Sequence, residues 1–147
     1  MGTRPGQINP VDAVPQLAKV LESLGYTVKE RNTAFAPCDV FALHKTNLPI
    51  IVNVFSNSIE VACHLPCTEH ARQNPEEFLA VVNSMNALCR LATCQADPEY
   101  LTIRTCFPFA FEPDLFRSFM EAWMDDAGEV LADIRRQLGY LESGFVQ

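Results

Sequence analysis

Between Pro49 and Leu65 the chain reads PIIVNVFSNSIEVACHL, two alternating runs on either side of a polar pair, Ser56-Asn57. With that pair as the turn, Val54 falls opposite Ile59, Val52 opposite Val61 and Ile50 opposite Cys63, so one face is apolar throughout. The other face sets Ile51 against Ala62, Asn53 against Glu60 and Phe55 against Ser58, and is mixed. A one-residue slip would juxtapose the two kinds of face, so the side chains specify the register. A sheet with one greasy face needs helices to cover it, and the periodicity supplies three.

The first helix opens with Asp12 as expected N-cap and Pro15 in the first turn, where a missing N–H costs nothing. Val14, Leu17, Ala18, Leu21 and Leu24 repeat on one face, and Gly25 stands where a left-handed C-cap is expected. Tyr26 to Arg31 reads as a short edge strand or an extended lead-in, its charges suited to an edge that must not aggregate. Asp39 to Lys45 is a strand with Val40, Ala42 and His44 on one side and Phe41, Leu43 and Lys45 on the other. After the hairpin, PCTEHARQN reads as a polar loop. A second helix opens at Asn74 with Pro75 at its first position, and Phe78, Val81, Val82, Met85 and Cys89 form its stripe. The end of this helix is open: helical spacing continues to Ala92, but Cys89–Gln95 also reads as a strand, and the expectation is that it forms a second hairpin with Tyr100–Phe107. The third helix runs from Pro113 to about Leu138, with Gly139 as C-cap, and is about 39 Å long. Phe116, Phe119, Met120, Trp123, Ala127, Val130, Leu131, Ile134 and Leu138 line one side of it. Glu112, Asp114, Glu121, Asp125, Asp126, Glu129 and Asp133 crowd the other, and Arg135 and Arg136 close the last turn. The expectation is one α+β domain over residues 1–147, with an ordered core near 11–138. Its order is α-βββ-α-ββ-α, with an antiparallel sheet of about five strands and loose ends.

A length of 147 residues suffices for a hydrophobic core without metal or disulfide staples. A net charge of −7 argues against nucleic acid and against an anionic membrane surface as partner. No apolar run reaches the length of a membrane span. The first ten residues, MGTRPGQINP, lack the pattern of a signal peptide, and the N-myristoylation pattern fails at position six. A cytoplasmic protein is expected, with its six cysteines as reduced thiols.

Candidate chemistry is sparse. Cys63, Cys67 and His70, with His64 nearby, have spacings a zinc site permits. Yet Cys63 belongs to the apolar face of a strand and would have to leave it to ligate. No GxSxG, HExxH or phosphate-cradling glycine loop occurs, so neither catalytic residue, cofactor nor metal is assigned. The partner-binding candidates are Phe109 and Phe111 from the run Phe107-Pro108-Phe109-Ala110-Phe111, Phe116 and Trp123 from the third helix, and Asp125 and Asp126 from its acidic side. The plain alternative for these residues is core packing and a solvated surface.

The order of elements from Val11 to Leu138 resembles the fold of the type III secretion chaperones and of the related YbjN family. The nearest local likeness is FLAVVNSMNAL, with Asn83 and Asn86, followed by CRLATCQADPEYLTIRTCFPF and a Pro-capped helix. The resemblance implies a non-enzymatic module, often a homodimer, that holds a protein or peptide client. YbjN-type proteins are described as candidate sensory-transduction regulators. Secretion chaperones bind clients in extended form, along sheet edges and in apolar patches. No stretch dedicated to such patches stands out, which is a departure from the chaperone pattern.

Overall fold

The computed structural model describes residues 9–32 and 38–138, with side chains in the last helix described through Val130 and at Ala132. The central hairpin, β3 (Ile50–Val54) and β4 (Ile59–Pro66), has the expected register. Val52 pairs with Val61, Val54 with Ile59, Ile51 with Ala62 and Asn53 with Glu60. The Phe55 N–H donates to the Ser58 carbonyl at 2.9 Å and closes the turn.

Around this hairpin the remaining strands of the described residues complete a six-stranded antiparallel sheet. They are β1 (Tyr26–Asn32), β2 (Cys38–His44), β5 (Thr93–Ala96) and β6 (Tyr100–Phe107), and the order is β1-β2-β3-β4-β6-β5. The sixth strand is the Tyr26–Asn32 segment, a full edge strand rather than a lead-in. Its register shifts between Val28 and Glu30, so that Lys29 forms a bulge and Glu30 comes opposite Phe41.

Among the described residues four helices flank the sheet: α1 (Pro10–Ser23), α2 (Glu69–Gln73), α3 (Pro75–Asn86) and α4 (Pro113–Leu138). The start of α1 corrects the expected cap. Asn9, not Asp12, is the N-cap, and its Oδ1 accepts the Val11 N–H at 3.1 Å. Pro10 fixes its own φ and lacks the N–H that would go unsatisfied, so the helix begins there. Pro15 therefore sits in the second turn, on an exposed face where water can serve the freed carbonyl. The segment expected as a loop holds α2, whose N-cap Thr68 accepts the Ala71 N–H through its hydroxyl at 3.3 Å.

The strand expected at Cys89–Gln95 is shorter. Residues 87–92 form a loop whose amides are engaged elsewhere, and pairing with β6 begins at Thr93. The Gly139 cap and the two chain ends lie outside the described residues, as do the side chains of Leu131, Asp133, Ile134, Arg135, Arg136 and Leu138.

All four helices deliver apolar side chains to one core against the inner face of the sheet. Leu17 and Leu21 of α1, Ala71 of α2, Phe78 and Val82 of α3, and Phe116, Met120 and Trp123 of α4 join Val40, Val52, Val61 and Ile103 there. At about 25 cal/mol per Å² of apolar surface removed from water, each large side chain so buried contributes about 1.5–3 kcal/mol.

Two contacts fix the corner between α1 and the sheet. Gly25 has φ +95°, and a Cβ placed there would meet His44 Nε2 at 2.6 Å. His44 Nε2 donates to the Leu24 carbonyl at 3.0 Å, while Nδ1 accepts the Thr46 N–H at 3.1 Å. Both contacts are met by the neutral tautomer protonated at Nε2.

Candidate interaction face

Because side chains alternate along a strand, the residues between the core positions form a second face. Two rows cross it. One runs Glu30, Phe41, Ile51, Ala62, Arg104, Thr93 over all six strands. The next runs Asn32, Asp39, Asn53, Glu60, Cys106. Phe41, Leu43 and Ile51 are half-buried, and Ala62 is enclosed between its neighbours. The apolar middle is bounded by carboxylates on the β1–β2 side and by Arg104 and His64 on the other. Across β4 and β6, the rings and hydroxyls are tied together: His64 Nδ1 and the Thr102 hydroxyl lie 2.9 Å apart.

At the β1–β2–β3 end of this face lies a recess of about 740 Å³, lined by Glu30, Arg31, Asn32, Asp39, Phe41 and Ile51. Asp39 Oδ1 is buried there and receives no hydrogen bond from the described residues. A second recess, of about 440 Å³, lies between Phe78, Leu79 and the β5–β6 turn at Pro98.

The residues singled out from the sequence do not converge on either recess. Phe111, Phe116 and Trp123 are core residues rather than parts of a partner surface, as the alternative reading had it: Phe116 and Trp123 lie on the buried side of α4, and Phe111 is buried just ahead of that helix. Phe111 stacks at 5.6 Å on Phe116. Phe109 is 58 % exposed and leans on Phe107 at 5.2 Å. Asp125 is exposed. Asp126 has an internal role instead, accepting the N–H groups of Arg90 at 3.2 Å, Leu91 at 3.0 Å and Ala92 at 2.9 Å. Burial pushes its carboxyl up, but those three donors and the Arg90 charge outweigh this and hold it below the usual range. Glu112, also read as part of the acidic side, caps α4 by accepting the Leu115 N–H at 2.8 Å.

The cysteine and histidine alternative does not assemble. Cys63 and Cys67 both face the core, separated by about 13 Å of extended chain, while His70 is exposed on α2. That span is too long for two thiolates sharing a zinc at about 2.3 Å each. Among the described residues no group of three or more His, Cys, Asp or Glu is placed to hold a metal. Burial pushes the Cys63 thiol up to about 12. The Cys94 thiol rises to about 12 as well, first through burial and then through the adjacent Cys89, with which it shares a hydrogen bond. Neither has the lowered pKa of a nucleophile. Among the described residues no helix is long and apolar enough to cross a membrane.

The architecture therefore defines an α+β module whose helices share one side of an antiparallel sheet and leave a half-apolar face on the other. Solved structures with this fold include YbjN, a candidate transcription regulator from E. coli, at 12 % identity and a TM-score of 0.68, covering 93 % of this chain and 99 % of that one. An uncharacterised protein from Methanothermobacter thermautotrophicus matches at 13 % identity and a TM-score of 0.62, with 86 % and 99 % covered. At these identities the likeness is one of fold, the YbjN-like fold that the element order resembles. The sequence matches no protein-family profile and no curated relative.

Proposed function

We propose that this chain is a non-enzymatic, regulator-type module that binds a protein or peptide on the outer face of its sheet. The observation that carries this reading is the half-buried cluster of Phe41, Leu43 and Ile51 on a face that contributes nothing to the core. Apolar groups held at a sheet surface by the pleat, rimmed by carboxylates, have the make-up of an interface centre with a polar margin. The fold neighbours support it in kind, one being described as a candidate regulator and neither as an enzyme. The net charge of −7 favours regulation through protein contact over direct contact with nucleic acid.

A secretion-chaperone mode, in which the client adds a strand to a sheet edge, has less support. Asn86 occupies the β5 edge at Cys94, and β1 is bulged and charged. The test is affinity capture from a lysate with the native chain and with Ile51→Glu and Phe41→Glu, each checked for native circular dichroism. A partner kept by the native chain and lost by both variants supports the face. Partners retained equally by all three chains would exclude it.

A further inference from the structure

The recess at the β1–β2–β3 end of the sheet carries a more specific message than its apolar floor alone. Asp39 and Glu30 both belong to the outer face, on neighbouring strands and adjacent rows. Among the described residues neither takes part in an ion pair, and the one such pair, Arg72–Glu69, is elsewhere. Arg31 lines the same recess but pairs in register with Val40, a core position, so its strand position directs it to the opposite face. Asn32, opposite Asp39, has a partner of its own. One oxygen of the part-buried Asp39 is thus withdrawn from water with no donor among the described residues. Beside it stand Phe41 and Ile51, and the volume suffices for a side chain of arginine size.

From this combination we infer that the recess receives the cationic head of a basic residue in an extended peptide, with the neighbouring apolar residue lying on Phe41 and Ile51. The inference rests on the docking face proposed above and names what that face selects. A guanidinium or ammonium group supplies the missing donor to Asp39 Oδ1 and neutralises Glu30 as well. The bond is charge-assisted and part-buried, where such bonds are strongest. The flanking apolar residue accounts for the aromatic and aliphatic floor, which a lone cation would leave wet. The chain's overall negative charge steers a basic segment toward it.

The experiment is an amide-resolved NMR titration of the full chain with acetyl-Val-Arg-Val-amide and with its neutral counterpart, acetyl-Val-citrulline-Val-amide. The expected result is saturable shifts at Asn32, Asp39, Phe41 and Ile51 with the arginine peptide. Binding should be about tenfold or more weaker with citrulline, and similarly weakened by Asp39→Asn. Asp39→Asn removes an unpaired charge, so its thermal midpoint should equal or exceed the native one, and Glu30→Gln at the exposed edge gives a second reading. Equal binding of both peptides, or binding unchanged in Asp39→Asn but lost in Phe41→Ala, would overturn the cation assignment while leaving the docking face standing. Shifts centred elsewhere, or none from either peptide, would overturn the cation assignment.

Discussion

The side-chain amide of Asn86 completes the sheet edge at Cys94. Its Oδ1 accepts the Cys94 N–H at 2.6 Å and its Nδ2 donates to the Cys94 carbonyl at 2.7 Å. The last residue of α3 thereby takes the place of a seventh strand and ties the helix to β5.

Removing this clamp has two consequences. Asn86→Ala deletes two hydrogen bonds and uncovers an edge, and should cost about 1–3 kcal/mol of unfolding free energy. Asn86→Asp keeps the acceptor but sets a carboxylate oxygen against the Cys94 carbonyl, so it should not recover the loss. Urea unfolding of the three chains measures this, and native-like stability of Asn86→Asp would show that the donor half of the pair contributes nothing.

The Asp126 carboxylate does for the 87–92 loop what Asn86 does for the strand. Its folded pKa lies below the ordinary value, so its stabilisation is present above the unfolded pKa of about 4 and disappears as pH falls through the lower folded value. Asp126→Asn should therefore be less stable than the native chain at neutral pH by about 1–2 kcal/mol, less than for a buried pair because the site is part-exposed. The gap should close below about pH 4. A gap that stays constant from pH 7 to pH 3 would contradict the assignment.

At the α1–β1 corner, Gly25→Ala should be destabilising by about 1–2 kcal/mol from backbone strain alone. The clash with His44 adds to this. In a double-mutant cycle with His44→Ala, the cost of Gly25→Ala should fall to its backbone part. Additive effects across the cycle would place His44 out of contact with the corner.

Thiol labelling separates core from surface. Cys106 is exposed, whereas Cys38, Cys63, Cys67 and Cys94 are buried. With iodoacetamide near neutral pH, mass spectrometry should find Cys106 modified first and Cys63 and Cys94 only after denaturant is added, their thiols being held near pKa 12. Rapid modification of Cys63 in the native chain would revive a functional thiol.

How much of this was legible beforehand differs by element. The β3–β4 register was readable because adjacent alternating runs have a single pairing that buries every apolar residue. The short helix Glu69–Gln73 was not, because five residues give no periodicity to read and its cap is a local hydrogen bond. The Thr93 start of β5 depends on the Asp126 carboxylate, distant in sequence, drawing three amides out of the ladder. For Phe111, Phe116 and Trp123 the sequence left core and partner surface both open, since an apolar run or stripe shows that one side is covered but not by what; the structure buries all three in this chain's own core.

The candidate site follows the same division. The alternation in 50–54 already put Ile51 on the mixed face, and that in 39–45 grouped Phe41 with Leu43 and Lys45 without showing which side the core takes. By itself the sequence determined which residues share a face, because the strand repeat of two is a local property of the backbone. The tertiary structure decided that β1 lies beside β2 with a bulge at Lys29, that Glu30 therefore stands opposite Phe41 and diagonal to Asp39, and that one Asp39 oxygen is buried without a donor among the described residues. Such outcomes depend on strand order and on what packs over each carboxylate, and long-range contacts leave no period in the chain.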